Sequence, residues 1–260
     1  MMSDVKIFVI DEADRMLDMG FIPDVEKIAS LLPPLRQTML FSATMPPEIK
    51  RLAEQFLMNP KLISVSPPAS PAETVEQRKL LCQPRDKRKA LLQIMRGQDI
   101  TNAIVFCNRK RDVDLLLKAL IGHGVNAAAL HGDMVQFKRM ETLDRFKKGE
   151  VQILVASDVA ARGLDIPTVG HVFNFDVPYH PDDYIHRIGR TGRAGRSGKS
   201  YTLVTDDDAK SIAAIERLIK RDIPTMTLEG VKESVPNAAV DAAANDDEQP
   251  ARRRRESRRP

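Results

Sequence analysis

Short β-branched and apolar runs recur along this chain, each ending in polar or small residues and each followed by a helical pattern. A parallel sheet with crossover helices requires that alternation, so the sequence predicts an α/β fold with helices on both sheet faces. The first run, Ile7-Phe8-Val9-Ile10, passes directly into Asp11-Glu12-Ala13-Asp14. A strand that delivers three carboxylates at its carboxyl end places them where an open α/β sheet holds its ligand.

Two α/β blocks are expected. In the first, residues 1–65, strands fall at 7–10, 38–41 and 61–65 and helices at 23–32 and 47–57. Three strands are too few for a parallel sheet covered on both faces, and the apolar strand at 7–10 would be an exposed edge. Either the chain is a truncated product or the missing strands come from another polypeptide. The stretch Ser66-Pro67-Pro68-Ala69-Ser70-Pro71-Ala72 then changes the composition abruptly, so 66–73 is expected to be an exposed linker. The second block, 74–225, carries strands at 103–107, 127–130, 152–156, 171–175 and 200–204, with helices at 111–121, 136–147 and 208–218. It is long enough for a complete core. Residues 226–260 hold little apolar material and end in arginines, as expected of a disordered basic tail.

The net charge of +4 misdescribes the body of this 260-residue chain. Arg252 to Arg255 with Arg258 and Arg259, against Glu256, carry +5 of it, which leaves residues 1–251 at about −1. A nucleic-acid partner must therefore be held by a local patch, and the best one is Arg187, Arg190, Arg193, Arg196 and Lys199. Cys82 and Cys107 lie far apart without a Cys-x-x-Cys pattern, which fits core packing better than a disulfide framework or a zinc site. No run approaches the apolar length of a membrane helix and the amino end does not read as a secretory signal, so a cytoplasmic location and no membrane partner are expected.

An Asp after a strand can hold Mg²⁺ directly or through a bound water, and a neighbouring acid can orient the water that attacks a phosphoryl group. Asp11 is the candidate metal residue and Glu12 the candidate base; the plainer alternative is that these acids cap the following helix. Ser42-Ala43-Thr44 follows the run 38–41 and falls at the same rim, where its hydroxyls either bond neighbouring groups or cap the helix starting near Pro47. Arg190 and Arg193 stand three apart beside Gly189 and Gly192. Planar guanidinium groups suit neutralisation of a transferring γ-phosphoryl. Arg187, Arg196 and Lys199 are expected to face phosphate or simply to be exposed.

These signatures, taken in order, resemble the DEAD-box family of ATP-dependent RNA helicases. The motifs are Asp11-Glu12-Ala13-Asp14, Ser42-Ala43-Thr44, Ile104-Val105-Phe106-Cys107-Asn108, His131-Gly132-Asp133-Met134 with Gln136 and Arg139, Ser157 through Asp165, and His186 through Arg193. The resemblance implies RecA-like lobes, an incomplete first and a complete second, with ATP and Mg²⁺ as cofactors and RNA as partner of a monomer. It implies that Gly132, Arg139, Ser157 and Arg162 face the RNA backbone, and that Gly163, Asp165, Arg190 and Arg193 serve ATP. It also implies that Asp14, Ser42, Thr44, Asp158 and His186 couple the lobes. The family more often has Thr at the place of Ser157; the hydroxyl is retained.

One segment imitates a phosphate loop. In Gly192-Arg193-Ala194-Gly195-Arg196-Ser197-Gly198-Lys199-Ser200 the outer glycines enclose five residues instead of four, and the segment runs into a strand where a phosphate loop must open a helix. It is therefore rejected, and the chain alone is expected neither to bind ATP tightly nor to hydrolyse it. The alternatives are a non-catalytic RNA-binding or partner-binding lobe, and a DNA-translocating helicase of the same superfamily. The terminal arginines are expected to tether RNA nonspecifically.

Overall fold

The computed structural model describes residues 2–64, 75–161, 164–192 and 197–232, and these form two compact units divided near residue 70. The expected linker at 66–73 lies outside the described residues.

In the first unit, strands β1 (Ile7–Ile10) and β2 (Gln37–Leu40) pair in parallel, with Ile7 opposite Gln37 and Ile10 opposite Leu40. Helices α1 (Ala13–Asp18), α2 (Ile22–Ser30) and α3 (Pro47–Phe56) follow them. Ile10, Ala13, Val25, Ile49 and Leu52 form the core, with Phe8 and Leu40 packed against it. Because side chains alternate across a strand, Ile7 and Val9 point to the other face, where they stay 56% and 47% exposed. That face of the two-stranded sheet is uncovered among the described residues. The strand expected at 61–65 does not form: residues 61–64 have no regular structure and are exposed. Lys61-Leu62-Ile63-Ser64 has suitable composition, but a strand exists only through a partner, and β1 and β2 pair with each other alone among the described residues.

The second unit is built on a seven-stranded, wholly parallel sheet. Its strands are β3 (Val75–Leu81), β4 (Ala103–Cys107), β5 (Ala127–Leu130), β6 (Ile153–Ser157), β7 (His171–Asn174), β8 (Gly198–Val204) and β9 (Thr225–Met226), in spatial order β5-β6-β4-β7-β8-β3-β9. The central strands read as unbroken apolar runs because both faces are covered. Ala103, Val105 and Cys107 of β4 join one core cluster, under α4 (Lys87–Arg96) and α5 (Lys110–Gly122). Ile104 and Phe106 join the opposite cluster with Leu143 and Phe146 of α6 (Gln136–Lys147) and Ala160 and Ala161 of α7 (Asp158–Ala161). A third cluster unites Tyr184 and Ile188 of α8 (Pro181–Ile188) with Ile212 and Ile215 of α9 (Ala209–Ile219).

The second unit continues past its expected end at 225. Thr225 and Met226 add an edge strand to β3, Leu228 and Val231 pack on the core, and the Lys89 ammonium donates to the Gly230 carbonyl at 2.7 Å. The apolar spacing of Met226, Leu228 and Val231 carries this extension; 233–260 lie outside the described residues. No helix among the described residues is long and apolar enough to cross a membrane.

Candidate functional site

In the first unit the carboxyl ends of β1 and β2 are tied together through one carboxylate. Thr44 donates both its amide and its hydroxyl to Asp14 Oδ2, each at 2.9 Å. The Asp14 amide donates to Ser42 Oγ at 3.2 Å, and Ser42 Oγ donates to the Thr44 carbonyl at 2.7 Å. Burial pushes the Asp14 carboxyl up, but the Thr44 hydroxyl and amide, the Arg15 amide and Ser42 together hold it below the ordinary Asp value. Ala13 completes the join, its amide donating to the Phe41 carbonyl at 3.0 Å. Ser42 and Thr44 therefore serve Asp14 and are not caps of α3, whose N-cap is Pro46.

Asp11 is exposed beside this knot, and Glu12 precedes α1 in the left-handed region, φ 51° and ψ 45°, making no side-chain cap bond. The capping alternative for these acids is not realised. A glutamate in this region costs about 1–2 kcal/mol, the kind of strain that persists where neighbouring structure imposes it.

In the second unit the organising side chain is Arg187, 1% exposed and the largest fully buried side chain among the described residues. Its Nε and Nη2 donate to the two oxygens of Asp158, both at 2.7 Å. Nη2 also donates to Asn108 Oδ1 at 2.7 Å, and Nη1 to the Asp176 carbonyl at 2.6 Å and Asn174 Oδ1 at 3.4 Å. The guanidinium carbon lies 5.2 Å from the centroid of the Phe106 ring. Phe106, Asp158, Ala161, His186, Arg187 and Arg190 line a shallow pocket.

Comparison with known proteins decides the family. Residues 1–52 match the model for the DEAD/DEAH box helicase and residues 86–195 that for the helicase conserved C-terminal domain. The chain is 45% identical to the DEAD-box ATP-dependent RNA helicase CshA of Bacillus subtilis, over 86% of this chain and 46% of the relative. It is 46% identical to the ATP-dependent RNA helicase RhlB of Pseudomonas putida, over 84% and 56%. Among solved structures, yeast Dbp5 bound to RNA and ADP BeF3 superposes with a TM-score of 0.79 at 31% identity, over 87% of this chain and 60% of that one. The Escherichia coli DEAD-box protein SrmB, bound to regulator of ribonuclease activity A, superposes at 0.58 and 40% identity, with 95% of that chain covered. This chain belongs to the DEAD-box helicase family. It spans about half the length of the curated relatives it matches.

With the DEAD-box frame in place, the expected residues can be located. Asp11, Asp14, Ser42, Thr44, Asn108, Gly132, Ser157 and Asp158 all follow or end strands at the carboxyl rims of their own sheets. Ser157 is 7% exposed and Gly132 is exposed. Arg139 is half-buried, donating to Gln136 Oε1 and to the Ala160 carbonyl, both at 3.2 Å, so it joins α6 to α7. Asp165 is exposed and pairs with Lys147 at 2.8 Å, which lowers its pKa through that hydrogen bond and the ammonium charge. His186 and Arg190 sit together in the pocket, whereas Arg162, Gly163, Arg193 and Arg196 lie outside the described residues.

Two expectations about DEAD-box residues, those for Arg187 and Lys199, are corrected. Arg187 is neither exposed nor facing phosphate, because five acceptors gathered from strand ends enclose it. Lys199 is the second residue of β8, toward the opposite rim from Asp158, and donates to Gln98 at 2.8 Å. Arg187 and Lys199 therefore do not share one surface patch. Asp158 has both oxygens engaged by Arg187 within the second unit, and its expected part in coupling the lobes stays a proposal. Sequence reading missed Arg187, Asn174 and Asp176 as site residues; for the last two, the signal was a polar side chain at the end of an apolar run. The rejection of the phosphate-loop imitation holds, since Gly198, Lys199 and Ser200 lie inside β8. Cys82 and Cys107 are buried and free, as expected.

Proposed function

We propose that this chain contributes to RNA-dependent ATP hydrolysis coupled to local duplex separation, with the second unit holding RNA and presenting arginine to the nucleotide. The observation that carries the reading is the placement of the DEAD and Ser-Ala-Thr residues at one parallel rim, knotted through Asp14, and of the later motifs at another, knotted through Arg187. Ligand sites of open α/β sheets lie at such rims.

The residues present fit part of a magnesium nucleotide. Mg²⁺ takes one or two carboxylates and completes its shell with water and phosphate oxygens, which a single exposed Asp11 matches. No cluster of three or more potential ligands occurs among the described residues. Nor does any described glycine-rich loop opening a helix offer a phosphate cradle. Magnesium ATP, when bound, supplies the phosphoanhydride and the cation that neutralises it.

Glu12 would accept the proton of the attacking water, and Arg190 would stabilise charge developing on the transferring group. Asp14 keeps Ser42 and Thr44 in fixed register with the Glu12 turn. Gly132, Arg139, Ser157 and Arg162 would hold RNA by its backbone, a contact that carries no sequence information. The chain alone is proposed not to turn over ATP.

A chimera tests this, with the preceding part of the first lobe of the B. subtilis CshA relative joined ahead of this chain. RNA-stimulated phosphate release that Glu12→Gln and Arg190→Ala each abolish supports the function. Release that ignores RNA, or survives both substitutions, overturns it. Phosphate release by the 260-residue chain itself would refute only its inactivity alone.

A further inference from the structure

We infer that Arg187 is a positioning residue whose saturated guanidinium locks α8 to three strand ends, so that His186 and Arg190 are presented in one fixed geometry. The claim rests on the functional reading above for what Arg190 does, but not for how Arg187 acts.

A guanidinium has five N–H donors and no acceptor. Around Arg187 five acceptors account for them: two Asp158 oxygens, Asn108 Oδ1, the Asp176 carbonyl and Asn174 Oδ1. No donor is left for a phosphate, and a side chain with 1% exposure offers no face to one. The acceptors come from the carboxyl ends of three neighbouring strands. Asn108 follows β4, Asp158 opens α7 after β6, and Asn174 and Asp176 end and follow β7.

The network continues inward. The Asn174 amide donates to Thr202 Oγ1 of β8 at 3.0 Å, and the Asp176 carboxylate accepts from the Asn108 amide at 3.1 Å and pairs with the Lys87 ammonium of α4. Removing one partner of a buried pair leaves an uncompensated charge, so the node holds only with every member in place. His186 is its chain neighbour, and the Arg190 amide donates to the Arg187 carbonyl at 3.1 Å. Any displacement of Arg187 is therefore passed to both pocket residues.

Lysine keeps the charge but cannot reproduce five planar donors. The test uses the whole 260-residue chain and reads α8 directly by NMR hydrogen exchange at residues 186–192 and by the His186 ring signals. Leu120→Ala, a core truncation on α5 outside this network, supplies a control of comparable stability loss. Arg187→Lys and Asp158→Asn are each expected to move the His186 signals and to speed exchange at 186–192 about tenfold, the loss of one or two charge-assisted bonds. Leu120→Ala should change that segment less than about twofold, since stability is local. Should Arg187→Lys fail to fold, Asp158→Asn carries the comparison, because it keeps the side-chain shape.

Exchange and His186 signals in Asp158→Asn indistinguishable from those of Leu120→Ala would overturn the inference. So would movement of the Arg187 Nε–H signal on titrating inorganic phosphate, which would mark Arg187 as an anion ligand. Neither readout involves nucleotide turnover, so a failed ATPase reading would leave this result standing.

Discussion

Thr44 donates twice to a single oxygen of Asp14, by its amide and by its hydroxyl, both at 2.9 Å across 30 residues of sequence. That pair of hydrogen bonds fixes the Ser-Ala-Thr turn against the DEAD turn within the first unit. Thr44→Ala removes one bond to a buried carboxylate and is expected to cost about 1.5–3 kcal/mol. Hydrogen exchange at the Ala13 and Phe41 amides, which bridge the same two turns, should accelerate roughly tenfold or more.

The same contact sets a pH dependence. The Asp14 carboxyl lies below its ordinary value of 3.8 in the folded chain. Its stabilisation is therefore complete above that value and disappears as pH falls through the lowered one. Asp14→Asn should flatten the acid limb of the first unit's exchange profile, and an unchanged limb would contradict the assignment.

Gly198 is a point where backbone meets backbone. A Cβ there would stand 2.1 Å from Thr191 Oγ1 and 2.7 Å from the Gly192 amide nitrogen. Gly198→Ala must push apart β8 and the turn after α8, at a cost of about 1–3 kcal/mol. Urea denaturation monitored on the second unit measures it, and Gly122→Ala, with open space at its Cβ, should cost no comparable clash.

Cys82 and Cys107 are both fully buried; burial pushes the Cys82 thiol up to about 11 and the Cys107 thiol further in the same direction. A buried neutral thiol is a poor nucleophile. Alkylation at neutral pH is expected to proceed only through unfolding, with both sites reacting together once urea opens the unit. Rapid labelling of either in the native chain would show a looser core than described.

These tests separate what the sequence displays from what only the fold creates. The apolar run 103–107 is legible because both sheet faces are covered, and Gln136–Lys147 because Phe137, Met140, Leu143 and Phe146 recur every third residue, although only the last two are buried. Val75–Leu81 escaped notice because Glu76, Arg78 and Lys79 interrupt the apolar positions, leaving Val75, Gln77 and Leu80 inward. The run from Lys61 failed in the opposite way, having strand composition but no partner. Rim positions of the motif residues follow from strand ends and could be read in advance. Arg187 could not, because its burial depends on acceptors 11 to 79 residues away that nothing near Arg187 announces.

The second unit is proposed to hold RNA by its backbone, and fluorescence anisotropy of short single-stranded RNAs with the purified chain reads that contact. Binding should weaken at least about tenfold from roughly 50 to 200 mM salt and stay within about threefold between unrelated sequences. Arg139→Ala should weaken it for all sequences alike. No detectable binding at low salt, or an affinity that changes more than about tenfold with base sequence, would contradict a backbone-held RNA.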